Sequence, residues 1–403
     1  MKKGFIMFVI IGLLTFISLF AYEFFLQKYN ENVETFQEQS DLQEEIIEEE
    51  IMPPKEDIHL KMSAIGDIMC HNSQYRDAYN SKTATYDFSY VFEEIKDYIN
   101  SADIAIGNLE TTFAGKGKGY SNYPRFNTPE QLAIDLKEFG IDVLSTANNH
   151  CMDTNYEGLV STLKYLDEAG ITHTGTNTTP EQQNEILIKD VNGIKMAFLA
   201  FTYGTNGIPV PIDKSFSVNL IDDKLILEQI KLAKKENPDL ICVNMHWGIE
   251  YQTKQNTEQE RLANLLFQNG VDIILGSHPH VLQPMEKKTV TLEDGTTKDC
   301  FVMYSLGNFM SGQTKANTKN SVILNIDITK NGETGKISLD KVEYVPIYMY
   351  RASAGATQRY KVIDIEKTIS NYENGDNAIG QATHNTLKNE LVKIQNTMNL
   401  NNE

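Results

Sequence analysis

Five apolar segments of this chain each end in polar residues of the kinds that bind metal ions or transfer protons. The segment that most constrains the fold is Leu144–Asp153, where a β-prone run leads directly into two amides and an imidazole at Asn148–His150. In open α/β sheets, ligands bind outside the carboxyl ends of the strands. One polar residue at a strand end is usually a cap or a turn residue, but five such ends predict a single shared site. The other four segments are Leu60–His71, Asp103–Glu110, Leu240–Glu250 and Val271–His280.

The side chains in these segments have the chemistry of a metal site. Six of the eight histidines lie between residues 60 and 290, and five of those six fall in the segments, with His173 as the exception. Carboxylate, amide and imidazole donors without clustered thiolates suit Mn, Fe or Zn. Carboxylates from one half of the chain and imidazoles from the other can hold two metal ions ~3.5–4 Å apart.

Strands and helices alternate along most of the chain, which predicts an α/β fold. One helix is predicted to begin at a capping box formed by Thr257 and Glu260 and to end at Gly270. The later strands follow one another with turn signals between them, which predicts an antiparallel portion of the sheet. The predicted strands are Leu60–Ile65, Asp103–Ile106, Ile141–Thr146, Lys195–Phe201, Leu240–Asn244, Val271–Leu275, Phe301–Tyr304 and Ser321–Ile328.

The charge pattern argues against a general nucleic-acid-binding protein. The 403 residues carry a formal net charge of −19, and no basic stripe is present. Binding to nucleic acid without sequence preference needs clustered Lys and Arg to neutralise phosphates. The length is sufficient for one large domain or two ordinary ones.

Residues 4–26 are predicted to form a transmembrane helix. Residues 4–22 are uncharged, and nineteen residues at ~1.5 Å rise each nearly match the ~30 Å hydrocarbon core of a bilayer. Lys2 and Lys3 favour a cytoplasmic N-terminus, so the expected location is the cell membrane, with a single pass and the main domain extracellular. The alternative, a cleaved export signal, leads to the same compartment.

Three segments follow the predicted anchor. Residues 27–57 are rich in Glu and Gln and are predicted to form an acidic, solvated stalk, with a short amphipathic helix as the alternative. Residues 58–352 contain all five strand-end segments and form the predicted main domain. Residues 353–403 are predicted to be a peripheral helical tail, with a polar helix over Asn385–Met398.

The cysteines do not predict a disulfide framework, because four in a chain of this length are too few. Cys70 and Cys151 each adjoin a candidate site motif. A bridge between these two residues is therefore an alternative to two buried free thiols.

The predicted main domain carries an ordered series of motifs between Leu60 and Phe309. In chain order they are GD-x-M, GNLE, ANNH-x-x-D, HWG-x-E, G-x-HPH and YSLGNF. This series resembles the CapA family of capsule-synthesis proteins, which includes the poly-γ-glutamate biosynthesis protein of Gram-positive bacteria. That family is a divergent branch of the calcineurin-like metallophosphoesterases. The resemblance implies that residues 58–352 form a calcineurin-like four-layer α/β/β/α sandwich with a dinuclear metal site, preceded by the N-terminal transmembrane helix.

The resemblance also implies roles for individual residues. His150 matches the imidazole that protonates a leaving group or stabilises developing charge, and Asp153 is placed to orient it. His71, the first histidine after Asp67, is added as a candidate metal ligand. The ligands implied by the motifs are Asp67, Glu110, Asn149, His246, His278 and His280.

Two departures from the superfamily pattern concern this site. The first motif of the superfamily is Asp-x-His, whereas His71 follows Asp67 by four residues. The second motif is a Gly-Asp pair, which Asn108-Leu109-Glu110 replaces here. Both departures weaken the expectation of ordinary phosphatase activity.

Three more residues are candidates for substrate contact. Arg125 can bind a carboxylate or phosphate at two points, and a structural ion pair is the alternative. Trp247, the only tryptophan, is either a wall of the pocket or part of the core. Asn148 is the first amide of the ANNH motif.

Two hypotheses about function follow. The first is a metal-dependent hydrolase or transferase that acts on the synthesis, export or attachment of an anionic surface polymer or its precursor, with two divalent metal ions as cofactors. The second is a non-catalytic membrane subunit that docks on a polymer synthase or exporter. In both, the expected partners are the lipid bilayer, through the N-terminal helix, and membrane synthase or export subunits.

Overall fold

The computed structural model describes residues 2–51, 55–293, 295–353, 356–398 and 401–402. The chain divides into two compact units, Met1–Glu56 and Asp57–Glu403. Every candidate site residue belongs to the second unit.

The first unit contains one long helix, α1, over Lys2–Ile51. It includes one candidate membrane span within Ile10–Gln43, where apolar side chains such as Phe16 and Phe20 are exposed. Such a helix suits a membrane anchor and equally a signal sequence near an N-terminus. The helix does not end at the boundary predicted between anchor and stalk after residue 26. It continues to Ile51, within the predicted stalk, because the Glu, Gln and Leu residues there are good helix formers.

The second unit contains the strands. In the described residues they are β1 (Ile58–Ile68), β2 (Tyr79–Asn80), β3 (Thr85–Tyr86), β4 (Ile104–Leu109), β5 (Val143–Ser145), β6 (Thr172–Thr174), β7 (Leu187–Val191), β8 (Ile194–Thr202), β9 (Leu240–His246), β10 (Ile273–Ser277), β11 (Met285–Thr291), β12 (Thr297–Met303), β13 (Asn308–Met310), β14 (Asn320–Lys330), β15 (Ile337–Arg351), β16 (Tyr360–Asp364) and β17 (Asn401–Asn402). All eight predicted strands are present.

Its helices lie mostly between the strands. In the described residues they are α2 (Asn72–Asp77), α3 (Ser89–Phe92), α4 (Lys96–Asn100), α5 (Gln131–Phe139), α6 (Asn155–Ala169), α7 (Pro180–Asn184), α8 (Asp223–Lys235), α9 (Thr257–Gln268), α10 (Ile365–Glu373) and α11 (Gln381–Thr397), with short 3₁₀ turns at Glu93–Ile95, Lys116–Lys118 and Ile212–Ser217. The capping box of α9 lies one residue before the predicted one. Asn256 Oδ1 accepts the Gln259 N–H at 2.9 Å, and Gln259 Oε1 accepts the Asn256 N–H at 3.0 Å.

The strands form two large sheets. Sheet 1 has the order β16-β15-β14-β1-β4-β5-β6, and β13 pairs with the end of β1. Its β1, β4, β5 and β6 are parallel, whereas β14, β15 and β16 are antiparallel, as the sequence predicts for the later strands. Sheet 2 has the order β17-β11-β12-β10-β9-β8-β7, with β8, β9, β10 and β12 parallel.

The two sheets pack face to face, and helices cover their outer faces. The core between the sheets includes Met62 and Ile106 from sheet 1 and Phe198 and Leu275 from sheet 2. Helices α3, α5 and α6 pack on the outside of sheet 1, and α8 and α9 pack on the outside of sheet 2. The expected four-layer α/β/β/α sandwich is therefore confirmed.

The segment predicted as a peripheral tail takes part in this packing. Strand β16 pairs antiparallel with the end of β15. The paired residues run from Arg351 opposite Tyr360 to Ile347 opposite Asp364. From α10 and α11, the side chains of Ile365, Leu387 and Ile394 are buried in the core between the sheets. The tail therefore contributes to the core, because apolar residues at helical spacing in α11 find their partners in the folded body. That the tail is peripheral to the chemistry stays a prediction.

One crossing segment brings the two sheets together at the site. Residues 304–307 leave sheet 2 after β12 and enter sheet 1 at β13. Leu306 N donates to Gly276 O at 3.0 Å, and Asp67 N donates to Gly307 O at 2.9 Å. A Cβ at Gly66 would lie 1.9 Å from Gly307 O. Glycine at this strand end therefore permits the close approach that places the end of β1 beside the end of β10.

Candidate metal centre

The two candidate carboxylates follow neighbouring parallel strands of sheet 1. Asp67 lies at the end of β1, and Glu110 comes directly after β4. Both side chains are fully buried. Asn108 Nδ2 donates to Asp67 Oδ1 at 2.8 Å, which orients that carboxylate. The Asn108-Leu109-Glu110 sequence that departs from the superfamily pattern thus supplies both a positioning amide and a carboxylate.

The candidate imidazoles come from the strand ends of sheet 2. His246 is the last residue of β9, and His278 and His280 lie just beyond β10. Both His278 and His280 have positive φ angles, of 98° and 60°, which non-glycine residues rarely adopt. Such strain persists where the surrounding structure holds it in place, and it is concentrated at functional sites. The loop is held here because Asp67 Oδ2 lies 3.4 Å from the backbone N–H of His278.

These side chains form two groups of ligand atoms that share Glu110. One group is Glu110, His278 and His280, and the other is Asp67, Glu110 and His246. Within each group the ligand atoms lie within 4.8 Å of one another. The donors therefore converge as the strand-end pattern predicts.

Glu110 lacks a partner of its own. Both of its carboxylate oxygens are buried, and neither has a hydrogen-bond partner among the described residues. Burial, with the charges of Asp67 and Glu250, raises the pKa of Glu110 well above its usual range. An unpaired buried carboxylate is costly, and a cation removes that cost. The residues present therefore fit a divalent metal.

The imidazoles of His246 and His278 are neutral and so available as ligands. Burial lowers the pKa of His278 to about 3, and it lowers the pKa of His246 well below its ordinary value. His278 Nδ1 is buried without a hydrogen-bond partner among the described residues. A neutral imidazole with an unused nitrogen is the form that binds metals.

The contacts of His280 determine its tautomer. Its Nδ1 lies 3.2 Å from Asp67 Oδ2 and 3.1 Å from Asn308 Oδ1. The Asn308 amide group donates to Gln313 and to Thr318 O, so its Oδ1 is free to accept. Nδ1 of His280 therefore carries the proton, and Nε2, which lies 3.8 Å from Glu110 Oε1, is left as the ligand atom.

Asn149 and His150 extend the cluster from the end of β5. Asn149 Oδ1 lies 2.8 Å from His246 Nε2, a distance compatible with two ligands of one ion. His150 Nδ1 lies 2.7 Å from Asp153 Oδ2, the contact that an orienting role for Asp153 requires. Asp153 Oδ2 also accepts the backbone N–H of Phe126 at 2.6 Å, so the carboxylate is itself held in place.

Two candidate substrate contacts have structural roles instead, and for Trp247 this is the core-packing alternative. Trp247 is buried among the residues that cover the outside of sheet 2, and its indole N–H donates to Tyr304 O at 2.9 Å. Asn148 is buried; its amide group donates to Leu109 O at 2.7 Å, and its Oδ1 accepts the His150 N–H at 3.1 Å. Both side chains therefore have structural roles: Trp247 packs in the core, and Asn148 ties the loop after β5 to β4.

Two further candidates, Arg125 and His71, lie closer to solvent. Arg125 is exposed, and within the described ranges no ion pair involves it, so the alternative of a structural ion pair is not supported and its substrate role stays a prediction. His71 belongs to neither group of ligand atoms. Its Nδ1 accepts the Gly312 N–H at 3.0 Å, which conflicts with the predicted metal-ligand role, because a metal-bound Nε2 would require the proton on Nδ1.

All four cysteines are free and buried, so Cys70 and Cys151 are not bridged.

One wall of the site, formed by residues that follow β8, was not predicted from the sequence. The Tyr203 ring lies 4.4 Å from the His278 ring, and Asn206 Nδ2 lies 3.5 Å from His150 Nε2. Burial and the charges of Glu110 and Glu250 raise the pKa of Tyr203 to about 12. The signal was present, because Tyr203 and Asn206 follow a predicted strand in the same way as the other site residues.

The protein has two stacked sheets, with carboxylates at the strand ends of one sheet and imidazoles at the strand ends of the other. This arrangement defines its structural class, a calcineurin-like metallophosphoesterase fold with a cluster of candidate metal-ligand atoms. Residues 61–313 match the family model of the bacterial capsule synthesis protein PGA_cap. The chain belongs to this family of capsule synthesis proteins.

Named relatives agree with the family. The chain is 32% identical over 288 residues to the capsule biosynthesis protein CapA of Bacillus anthracis, a match that spans 69% of this chain and 66% of that relative's length. It is 29% identical over 304 residues to the PGA biosynthesis protein CapA of Bacillus subtilis, with 74% of each chain covered.

A solved structure similar to this chain is the calcineurin-like phosphoesterase YfkN of Bacillus subtilis. Sequence identity is 16%, the TM-score is 0.42, and the similarity covers 83% of this chain and 100% of that one.

Proposed function

We propose that this protein is a membrane-anchored, metal-dependent hydrolase or transferase that acts on an anionic surface polymer, or its precursor, during capsule biosynthesis. The observation that carries the proposal is Glu110, a buried carboxylate that has no hydrogen-bond partner among the described residues and belongs to both groups of ligand atoms. The names of the relatives, capsule and PGA biosynthesis proteins, support a polymer of the poly-γ-glutamate type.

In this proposal the site holds two divalent ions, of Mn, Fe or Zn. Asp67, Glu110 and His246, with the adjacent Asn149, hold one ion, and Glu110, His278 and His280 hold the other. When bound, such a pair lowers the pKa of water and neutralises charge that develops on the reacting oxygens.

His150 is the residue that transfers a proton in this proposal. The Asp153 carboxylate accepts the hydrogen bond that joins it to His150, so the proton of this bond lies on Nδ1 of His150. Nε2 is then the atom that takes or gives a proton at the substrate, with Asn206 Nδ2 as its neighbour at 3.5 Å. The arrangement resembles a base oriented by a buried carboxylate.

The proposed location is the cell membrane, with the N-terminus in the cytoplasm and the second unit outside. The apolar part of α1 and the lysines before it support this orientation. The proposed partners are the bilayer, the anionic polymer, and the membrane subunits that synthesise or export it.

The first test measures metal content in the detergent-solubilised full chain. We expect two ions per wild-type chain by elemental analysis, and fewer in His278→Ala. His173→Ala is the matched control, because His173 is an imidazole of the same unit outside the site. Substoichiometric metal that His278→Ala leaves unchanged would refute the site.

The second test separates catalysis from a purely structural role. A strain that lacks the gene is complemented with wild type or His150→Ala, and surface polymer is measured. We expect polymer from the wild type only. A metal-replete His150→Ala protein that restores normal polymer output would instead support the non-catalytic subunit.

A further inference from the structure

His71 and His150 are the two histidines of the strand-end segments that join neither group of ligand atoms, and of the two His71 has no role in the proposed function. It lies three residues beyond β1 and immediately precedes α2, and its side chain is half-buried. The Phe126 ring lies between it and His150, with ring centroids 5.2 Å from His71 and 4.8 Å from His150.

A backbone contact determines which nitrogen of His71 carries the proton. Gly312 N lies 3.0 Å from His71 Nδ1, and an amide N–H can only donate. Nδ1 is therefore the acceptor, and the proton of the neutral ring is on Nε2. Burial lowers the pKa of His71 to about 4, which keeps the ring neutral at physiological pH. The ring has a further contact with the backbone of Met69, which favours a proton on the ring.

The same contact argues against metal ligation. A cation at Nε2 needs a lone pair there, which moves the single proton to Nδ1. Two N–H groups would then face each other at 3.0 Å, and the Gly312 amide would lose its acceptor. The protonated Nε2 is instead suited to an oxygen that carries negative charge.

The ring is held in one position by its surroundings. A Cβ at Gly312 would lie 2.7 Å from His71 Cβ, so glycine is needed for this approach. Met69 N donates to Met310 O at 2.7 Å, which ties together the two backbones that carry His71 and Gly312. The Phe126 ring packs edge-on against His71 at 5.2 Å.

Phe126 also connects His71 to the proposed proton-transfer residue. Its ring lies 4.8 Å from that of His150, again edge-on. The backbone N–H of Phe126 is held by Asp153, the residue that orients His150. His71 and His150 are thus positioned by one shared aromatic ring.

We propose that His71 is a substrate-positioning residue, which donates a hydrogen bond from Nε2 to an anionic oxygen of the substrate and does not ligate a metal. The inference rests on the proposed function, because it requires a substrate held at the metal centre. The chemical class it selects is an oxyanion, such as a phosphoryl group or the oxygen of an acyl centre under attack.

Two substitutions separate the two nitrogens of the ring. His71→Asn places a carbonyl oxygen near the position of Nδ1, so the Gly312 contact is kept while the outer donor is lost. His71→Gln reaches the position of Nε2 and keeps a donor there. The probe is inorganic phosphate, titrated by calorimetry into the Mn²⁺-loaded full chain in detergent, and metal content is measured in the same samples.

We expect unchanged metal stoichiometry in both variants. His71→Asn weakens phosphate binding roughly 10- to 100-fold, the range expected for one hydrogen bond to a charged group, whereas His71→Gln stays within a few-fold of wild type. Gly312→Ala, which displaces the ring without changing it, weakens phosphate binding as well.

Any of three results overturns the inference while leaving the proposed function intact. The first is the loss of a metal ion in His71→Asn, which would make His71 a ligand. The second is phosphate binding by His71→Asn equal to that of wild type, and the third is no phosphate binding by a metal-replete wild type. A wild-type chain that binds no metal at all is a different result, because it refutes the proposed function itself.

Discussion

Replacing Glu110 with Gln tests whether an unpaired carboxylate makes the metal-free site unstable. Gln has nearly the same shape but no charge, so Glu110→Gln removes the cost of a buried anion beside Asp67. Both oxygens of Glu110 lack partners in the described structure, and an unsatisfied buried group costs about 1–3 kcal/mol, more when charged. We therefore expect metal-free Glu110→Gln to be more stable than metal-free wild type by about 1–3 kcal/mol at pH 8.

The pH dependence follows from the raised pKa of Glu110. Below its ordinary pKa of 4.5, the carboxyl is protonated in both the folded and unfolded states, and the variant and wild type differ little. As the pH rises through that value and toward the folded-state pKa, the unfolded wild type loses its proton first, so the folded wild type loses stability. The advantage of Glu110→Gln over metal-free wild type should therefore grow as pH increases above 4.5.

Metal binding should make the wild type more stable than Glu110→Gln, which reverses the order expected without metal. A cation present at 100 times its Kd adds about 2.7 kcal/mol to the wild type, which raises Tm by roughly 4 °C in a unit of this size. Glu110→Gln should show little of this rise, since both groups of ligand atoms contain Glu110.

The assay is thermal unfolding of the full chain in detergent, with chelator and then with Mn²⁺, at several pH values. Glu250→Gln is the control, because Glu250 is an exposed carboxylate whose charge acts on Glu110 without belonging to either group. A metal-free Glu110→Gln that is less stable than wild type at pH 8, or one that keeps the full metal-induced rise, would refute the reasoning.

Three further substitutions test the site and its support. Asp153→Asn should leave metal content unchanged but lower metal-dependent hydrolysis of a chromogenic phosphoester roughly 10²- to 10⁴-fold, because an amide no longer selects the tautomer of His150; an unaltered rate would contradict this. Trp247→Ala should cost about 3–5 kcal/mol in denaturant unfolding with no change in metal stoichiometry, since the indole packs in the outer core. Gly66→Ala should cost about 3 kcal/mol or more and also reduce metal content, because its Cβ would lie 1.9 Å from Gly307 O and separate the strand ends; retention of both stability and metal would show that the crossing segment yields easily.

Local pattern was sufficient for the strands and for most of the candidate ligands. An apolar run that ends in Asp, Glu or His specifies both a strand and the polar side chain at its carboxyl end. Neighbouring parallel strands therefore present these polar side chains at one edge of the sheet. The place of Trp247 follows from the same rule. Successive residues of an extended segment point to opposite faces, so once His246 faces the site, Trp247 points to the outer core. This alternation decides between the two alternatives for Trp247 in favour of the core.

The sequence by itself thus determined the α/β class, the positions of the strands along the chain and most of the donors that meet at the centre. The tertiary structure alone decided how those donors are used. His71 accepts a hydrogen bond from Gly312, 241 positions along the chain, and this contact assigns its proton to Nε2. Contacts with Asn308 and Asp67 decide the tautomer of His280 in the same way. The physical reason is that a residue type defines which hydrogen bonds are available, whereas the neighbours brought by the fold determine which atoms remain free for a metal or a substrate.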